Sequence, residues 1–384
     1  MKKNLIYYIP TLGKGGAEDI VINLSASFTE KFNVIIIVAR RTEGDDYNFS
    51  RIDEKIKLEV VYDRAIEKCI IFKKAPTLKI LYKSIGLYFK YGFKESAILH
   101  VNLTLGSIVG NLWKILSYFS RSDLSVIETF HTNMHLLPLS RKVIFVLGWR
   151  FRDVLVYEID EREKVIIERF SPRRLNLVYI PFAALPVPPR GVAKRSIRRH
   201  PNSILLLTVS RLRIFEKRID SIIEVLKNIL ARDQVVHHRR FELVLAGDGP
   251  DRAEVERIIS QENLQDNVSV LGFVDDPELY MQQADFYLCA FVGEDPGISG
   301  LQATMMGATV LGVQTVPGYE SVTFKTSGQS SELCEMILEF VDSPQEAARY
   351  REVTQHHVNR KFGFGDMIAR YDALYEESLS NWSR

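Results

Sequence analysis

Long apolar runs are missing from this chain. None approaches the ~18 residues that a membrane-crossing helix needs, so a helical bilayer span is not expected. Cysteine is scarce. Cys69, Cys289 and Cys334 stand far apart, with no CxxC and no histidine at metal-ligand spacing. That argues against a disulfide framework and a zinc site, and it fits a reducing cytoplasm. There is no HExxH and no GxSxG elbow, because Leu301 stands where the glycine after Ser299 belongs. No D-x-D triplet occurs, so no obvious carboxylate pair is set to hold a divalent ion on a nucleotide diphosphate. Zinc-finger and RRM-like signatures for nucleic acid are also missing. The opening MKKNLIYYIP has lysines and an apolar stretch, like a leader, but it breaks at Pro10 without a small-residue cleavage site. It reads as a first β-strand.

What is present is an ordinary globular composition over 384 residues, 46% hydrophobic and 26% charged. That length exceeds one usual hydrophobic core, so two domains are expected. Charge divides the same way. Residues 1–190 carry 29 Lys+Arg against 20 Asp+Glu, and residues 191–384 carry 21 against 28, so +9 and −7 sum to the overall +2. The boundary falls in PFAALPVPPRGVAKRSIRRHP, Pro181 to Pro201, a linker-like composition. Short apolar runs such as Leu5–Tyr8, Val34–Val38, Ala97–Val101, Val126–Phe130, Ile204–Val209, Phe241–Ala246 and Phe286–Cys289 alternate with amphipathic stretches. This βαβα alternation, once in each half, predicts α/β architecture: two Rossmann-like doubly wound domains facing across a cleft. The expected division is 1–190 and 191–365, with a final helix at about 366–384 packing back on the first domain.

Ligands in such sheets bind beyond the carboxyl ends of the strands, and the candidate chemistry lies there. The FYLCAF run points into Glu294-Asp295-Pro296-Gly297-Ile298-Ser299-Gly300, and a helically spaced segment follows. A strand, a glycine-containing turn and a helix N-terminus make a phosphate seat. A carboxylate at its mouth repels phosphate, so something cationic or proton-donating belongs between the two, as at a sugar–phosphate bond. After the first strand, Gly13-Lys14-Gly15-Gly16-Ala17-Glu18 opens another helix; it is neither a Walker A loop nor GxGxxG. His131 follows the Val126–Phe130 run, and SRLRIFEKR places Arg211 and Lys217 after Ile204–Val209. Paired cations at a strand end suit a diphosphate, and they also suit a solvated patch. AGDGP, Ala246 to Pro250, ends another strand in a tight turn.

One further stretch, Ala75 to Lys94, predicts a helix on which Lys79, Lys83, Lys90 and Lys94 share one stripe. It reads either as a solvated lysine face or as a docking face for an anionic membrane surface.

The order of these motifs resembles the GT-B fold, retaining, family 4 type glycosyltransferases, the glycosyl transferases group 1, over nearly the whole chain. GKGGAE, FHT at His131, VSRL…EKRID, LVLAGDGP, VSVLGFVDDPELYMQQADFYLCAF and EDPGISGLQATMMGATVLG carry the resemblance. It implies a hexosyltransferase moving sugar from a nucleotide-sugar donor to a glycan or lipid-linked saccharide acceptor, as in cell-surface polysaccharide or glycoconjugate biosynthesis. No cofactor, no metal and no nucleic acid are implied. The first domain would hold the acceptor and the second the donor. Glu294 and His131 would act on the donor sugar. Gly15, Gly16, Arg211, Lys217, Gly272, Phe273, Gly297, Ile298 and Gln302 would bind the donor. Two departures stand out. Gln302 replaces the second acid of the family's E-x7-E signature, and Arg211 and Lys217 are one residue further apart than the family spacing, with Arg213 as a substitute. A nucleotide-sugar epimerase of the same fold and a non-catalytic sugar-nucleotide-binding protein remain as alternatives. The expected location is the cytoplasm, peripheral on the inner membrane face if the lysine stripe docks.

Overall fold

The computed structural model describes residues 2–13, 15–42, 45–63, 76–93, 96–131, 139–158, 163–171, 175–186, 197, 200, 202–236, 239–291, 296–314, 321 and 323–380. Glu294 and Lys94 therefore lie outside the described residues. The chain divides into two compact units, Met1–Phe182 with Gly365–Arg384, and Ala183–Phe364. The first crossing falls at the start of the Pro-rich stretch.

The first unit is built on a parallel sheet in the order β3 (Lys57–Asp63), β2 (Asn33–Arg41), β1 (Asn4–Ile9), β4 (Ala97–Asn102), β5 (Leu124–Phe130), β6 (Val154–Tyr157), β7 (Asn176–Tyr179). Its central strands are apolar runs buried without interruption: in β2 the residues from Val34 to Ala39 are all buried. Unbroken burial is what a parallel strand covered by helices on both faces requires. Each strand is placed beside its neighbour through a crossover, and the direction of winding reverses between β1 and β4. The core on one face gathers Ile6, Tyr8, Ile35, Leu99, Val126 and Trp113.

The last helix, Phe364–Ser380, belongs to this unit. Its Tyr375 hydroxyl meets the hydroxyl of Tyr7 on β1 at 3.1 Å and Nδ1 of His100 on β4 at 2.7 Å. His100 Nε2 lies 2.5 Å from Thr129 Oγ1, and Thr129 is 3.1 Å from the Tyr371 hydroxyl. This polar chain is buried throughout. At the rim, Lys31 Nζ donates to both Asp372 and Glu376.

The second unit repeats the plan with the order β10 (Val268–Gly272), β9 (Phe241–Ala246), β8 (Ile204–Val209), β11 (Phe286–Phe291), β12 (Thr309–Gln314), β13 (Thr326–Ser327). All of its pairings between named strands are parallel, and the winding reverses between β8 and β11. The helices Ile219–Val236 and Ser330–Asp342 cover one face, where Ile222, Leu226, Phe241, Leu243, Leu288 and Ile337 share a core.

The helix expected over residues 75–94 is an α-helix only over Pro76–Leu87 and then widens to a π-helix, Tyr88–Gly92. Of the four lysines read as one stripe, Lys83 and Lys90 are exposed, Lys79 is half-buried and Lys94 lies outside the described residues. Lys90 donates to Glu59 on β3 at 2.8 Å and sits over the Tyr91 ring. Apolar side chains are exposed beside the lysines: Leu78, Tyr82, Ile85, Phe89 and Phe93, Tyr82 at 73%. No helix among the described residues is long and apolar enough to cross a membrane.

Candidate active site

In a doubly wound sheet the crevice for ligands opens where the strand order reverses, so the β8/β11 and β1/β4 ends are the places to look. At the first of these, β8 leads into Ser210-Arg211-Leu212-Arg213. That loop is tied to the turn after β9. Ser210 N–H donates to the Ala246 carbonyl at 3.1 Å and Leu212 N–H to the Asp248 carbonyl at 3.0 Å. Asp251 Oδ2 accepts from Ile214 N–H at 2.9 Å, fixing the start of the short helix Ile214–Lys217. The AGDGP glycines serve this junction. A Cβ at Gly247 would overlap the Ser210 carbonyl, and one at Gly249 the backbone of Leu212. Gly247 also bonds the Gly272 carbonyl at 2.7 Å, locking the ends of β8, β9 and β10 together.

Arg211 on this fixed loop and Lys217 at the end of the short helix are both exposed. Among the described residues neither forms a salt bridge, whereas Arg213 is held by Glu216 at 3.0 Å. The engaged Arg213 leaves Arg211 as the better-placed cation. Lys217 lies near β11: burial pushes the Cys289 thiol up to about 12, and the Lys217 charge works against that rise.

Beyond β11 the helix Gly297–Met305 begins, with Pro296 at its N-cap. Among the described residues no side chain caps it, and its first turn holds no acid. Its leading N–H groups, those of Gly297 and Ile298 included, have no partner within the helix. Gly297 has φ +69°, and Gly300 is needed because a Cβ there would strike Pro296 and close on Cys289 Sγ. The helix thereby seats directly on β11. One turn in, Gln302 Nε2 donates to Glu278 Oε1 of the helix Pro277–Met281 at 3.4 Å. Gly272 has φ +71° at the end of β10, and Phe273 beside it is 41% exposed.

The first unit places its own group at the same edge of its sheet. The helix Gly16–Ser27 follows β1, but its N-terminus differs from that of Gly297–Met305. Glu18 and Asp19 lie in the first turn, and the Glu18 carboxylate folds back so far that a Cβ on Gly15 would touch it at 2.5 Å. The chain's own carboxylate sits where the Gly15–Gly16 reading put a phosphate. His131 follows β5, with Nδ1 2.6 Å from Glu158 Oε2 and Nε2 2.9 Å from Asn102 Oδ1. Asn102 ends β4 and Glu158 follows β6. Asn102, Glu158 and Glu278 were not singled out from the sequence. The only available signal was position, since Asn102 and Glu158 stand at or one residue past a strand end.

The structure thus gathers Arg211, Lys217, Gly297, Ile298 and Gln302 at the ends of β8 and β11. Gly15, Gly16 and His131 stand at the ends of β1 and β5 in the other unit.

The fold has known relatives. The family model for Glycosyl transferases group 1 matches residues 191–355. An alpha-monoglucosyldiacylglycerol synthase of Streptococcus pneumoniae is 30% identical over 108 residues, 28% of this chain and 23% of that one. A 2-deoxystreptamine glucosyltransferase of Streptomyces kanamyceticus is 30% identical over 149 residues, 37% of this chain and 38% of that one. The chain spans less than half the length of each of these two relatives. In structure it is similar to HepE of Anabaena in complex with UDP and glucose, with TM-score 0.72 at 16% identity over 98% of this chain and 100% of that one. It is also similar to sucrose-phosphate synthase from Thermosynechococcus elongatus, with TM-score 0.73 at 16% identity over 99% and 100%. The chain therefore has two Rossmann-like parallel sheets like those of these solved structures, and residues 191–355 match the glycosyl transferases group 1 family model.

Proposed function

We propose that the protein is a retaining glycosyltransferase that moves a sugar from a nucleotide-sugar donor to a glycan or lipid-linked saccharide acceptor. The observation that carries this reading is the β8/β11 switch point. Two exposed cations, Arg211 on the fixed loop and Lys217 at the end of the short helix after it, stand within the matched residues, in the unit that also holds the helix end at Gly297. Fixed cations and backbone dipoles aimed at a departing diphosphate are usually the largest catalytic contribution to such a reaction. They perform this task without a metal. Gln302, braced by Glu278, takes the ribose, and the exposed Phe273 ring offers a flat face near the nucleotide. Glu294 and His131 are the candidates for acting on the donor sugar.

Support for a lipid-linked acceptor comes from the exposed stripe Leu78, Tyr82, Ile85 and Phe89, and from the similarity to a diacylglycerol glycolipid synthase. The deciding experiment incubates the protein with a panel of nucleotide sugars and scores thermal stabilisation and released nucleoside diphosphate. One donor should stabilise it and be turned over, and Glu294→Gln should bind the diphosphate but lose turnover. Formation of an epimeric nucleotide sugar without transfer would replace this reading with the epimerase. Stabilisation without any turnover would leave a binding protein.

A further inference from the structure

Three neighbouring parallel strands deliver an amide, an imidazole and a carboxylate to one edge of the first sheet. Asn102 comes from β4, His131 from β5 and Glu158 from β6. Both ring nitrogens of His131 are engaged, at 2.6 Å with Glu158 Oε2 and at 2.9 Å with Asn102 Oδ1. Each partner is an acceptor. A carboxylate has no proton to offer at neutral pH, and an amide oxygen has none at all. Asn102 Nδ2 is turned the other way, toward the His100 carbonyl at 3.5 Å. An imidazole that donates from both nitrogens is an imidazolium and has no lone pair left for a substrate proton.

The carboxylate needs this cation as much as the ring needs the carboxylate. The Glu158 side chain is only 3% exposed. Among the described residues its Oε1 has no hydrogen-bond partner, so Oε2 and His131 carry the pairing. A buried carboxylate without a counter-charge is strongly disfavoured.

Among the described residues, the other groups facing the ring do not supply that counter-charge. Glu128 on β5 is taken by Arg152 at 2.6 Å. Glu18, on the helix after β1, adds a second negative charge near the ring. His100 on β4 is kept neutral by burial, and Tyr371 on the last helix stays protonated for the same reason. Burial works against a charged His131, but Glu158, with Glu18 and Glu128, overrides it and holds the ring above the usual histidine range.

We propose that Glu158, with Asn102, is the positioning pair that fixes His131 as a doubly donating imidazolium, so that His131 serves as a fixed cation and not as a proton acceptor. The role in turnover rests on the sugar-transfer reading; the state of the ring does not. Nitrogen-15 NMR of the unliganded protein tests the ring directly. Wild type should show both His131 nitrogens protonated at pH 7. In Glu158→Gln the ring should titrate about one pH unit or more lower, while Glu158→Asp should stay near wild type. The alkaline limb of kcat/KM should move down with it, a shift that a merely structural role would not produce. A singly protonated His131 in wild type at pH 7, or an unchanged titration in Glu158→Gln, overturns the proposal. If Glu158→Gln does not fold, the wild-type spectrum alone decides. A confirmed ring state without turnover of any nucleotide sugar would support the pair and sink the sugar-transfer reading instead.

Discussion

At the scale of single residues, the exposed pair Arg211 and Lys217 makes the plainest prediction. Each alanine substitution should weaken nucleoside diphosphate binding by about 1.5 kcal/mol, near the lower end for a charged hydrogen bond because both side chains face solvent. Calorimetric titration should show this as a roughly tenfold rise in Kd, with Arg213→Ala near wild type. Gln302 gives a sharper case. From sequence alone, restoring the acid with Gln302→Glu is expected to preserve or tighten donor binding. Glu278, 3.4 Å from the Gln302 amide nitrogen, reverses that expectation. A glutamate at 302 would face another carboxylate, so Gln302→Glu should raise the donor KM, and adding Glu278→Gln should bring it back. These residues also show what a linear motif cannot contain. AGDGP is legible as a tight turn, but the demand for its two glycines comes from Ser210 and Leu212 on the neighbouring loop. Glu278 and Gln302 meet only because two helices separated in sequence pack together.

At the scale of elements, the strands were legible because a strand buried on both faces is an unbroken apolar run, as in β2 and β9. The Ala75–Lys94 helix was legible in outline only. Its switch to π winding at Tyr88 depends on packing, since Tyr88 is buried with its hydroxyl 2.6 Å from Ser122 Oγ. The exposed apolar stripe should therefore contribute to membrane docking beside the lysines. Replacing Tyr82 and Phe89 with serine should release the protein from anionic vesicles in a flotation assay more completely than Lys90→Glu does. Lys90 is already occupied by Glu59. Equal recovery of all variants would leave the helix a plain structural element. The final helix makes a stability prediction. Tyr375→Phe strips a hydroxyl from both Tyr7 and His100 and should cost about 1–3 kcal/mol in urea unfolding. Tryptophan fluorescence should report this, because the described tryptophans, Trp113 and Trp149, both belong to the first unit. Burial, aided by the charge of His131, depresses the His100 pKa from 6.5 to about 3. Between those values the unfolded chain binds a proton that the folded chain refuses. The His100 contribution is thus complete above pH 6.5 and is lost as pH falls toward 3. His100→Gln should flatten that acid slope.

At the scale of the whole molecule, two doubly wound units follow from the βαβα alternation and the charge asymmetry, both visible in the chain. The metal-free reading makes a prediction at this scale: turnover should survive EDTA, because Arg211, Lys217 and the Gly297 helix end take the metal's part. Complete loss restored by magnesium or manganese would refute it. What the linear chain conceals is how its ends are shared, since nothing in the sequence near Tyr7 announces a partner 368 positions away. That separation sets an order of events during synthesis. Domains usually complete from the N-terminus as the chain emerges. Here the unit begun first is finished last: its sheet waits, with Tyr7 and His100 unpartnered by Tyr375, until the closing helix leaves the ribosome. The later unit, contiguous from Ala183 to Phe364, has by then already been released. A nascent chain stalled before residue 365 should accordingly hold a protease-resistant second unit and a protease-sensitive first one.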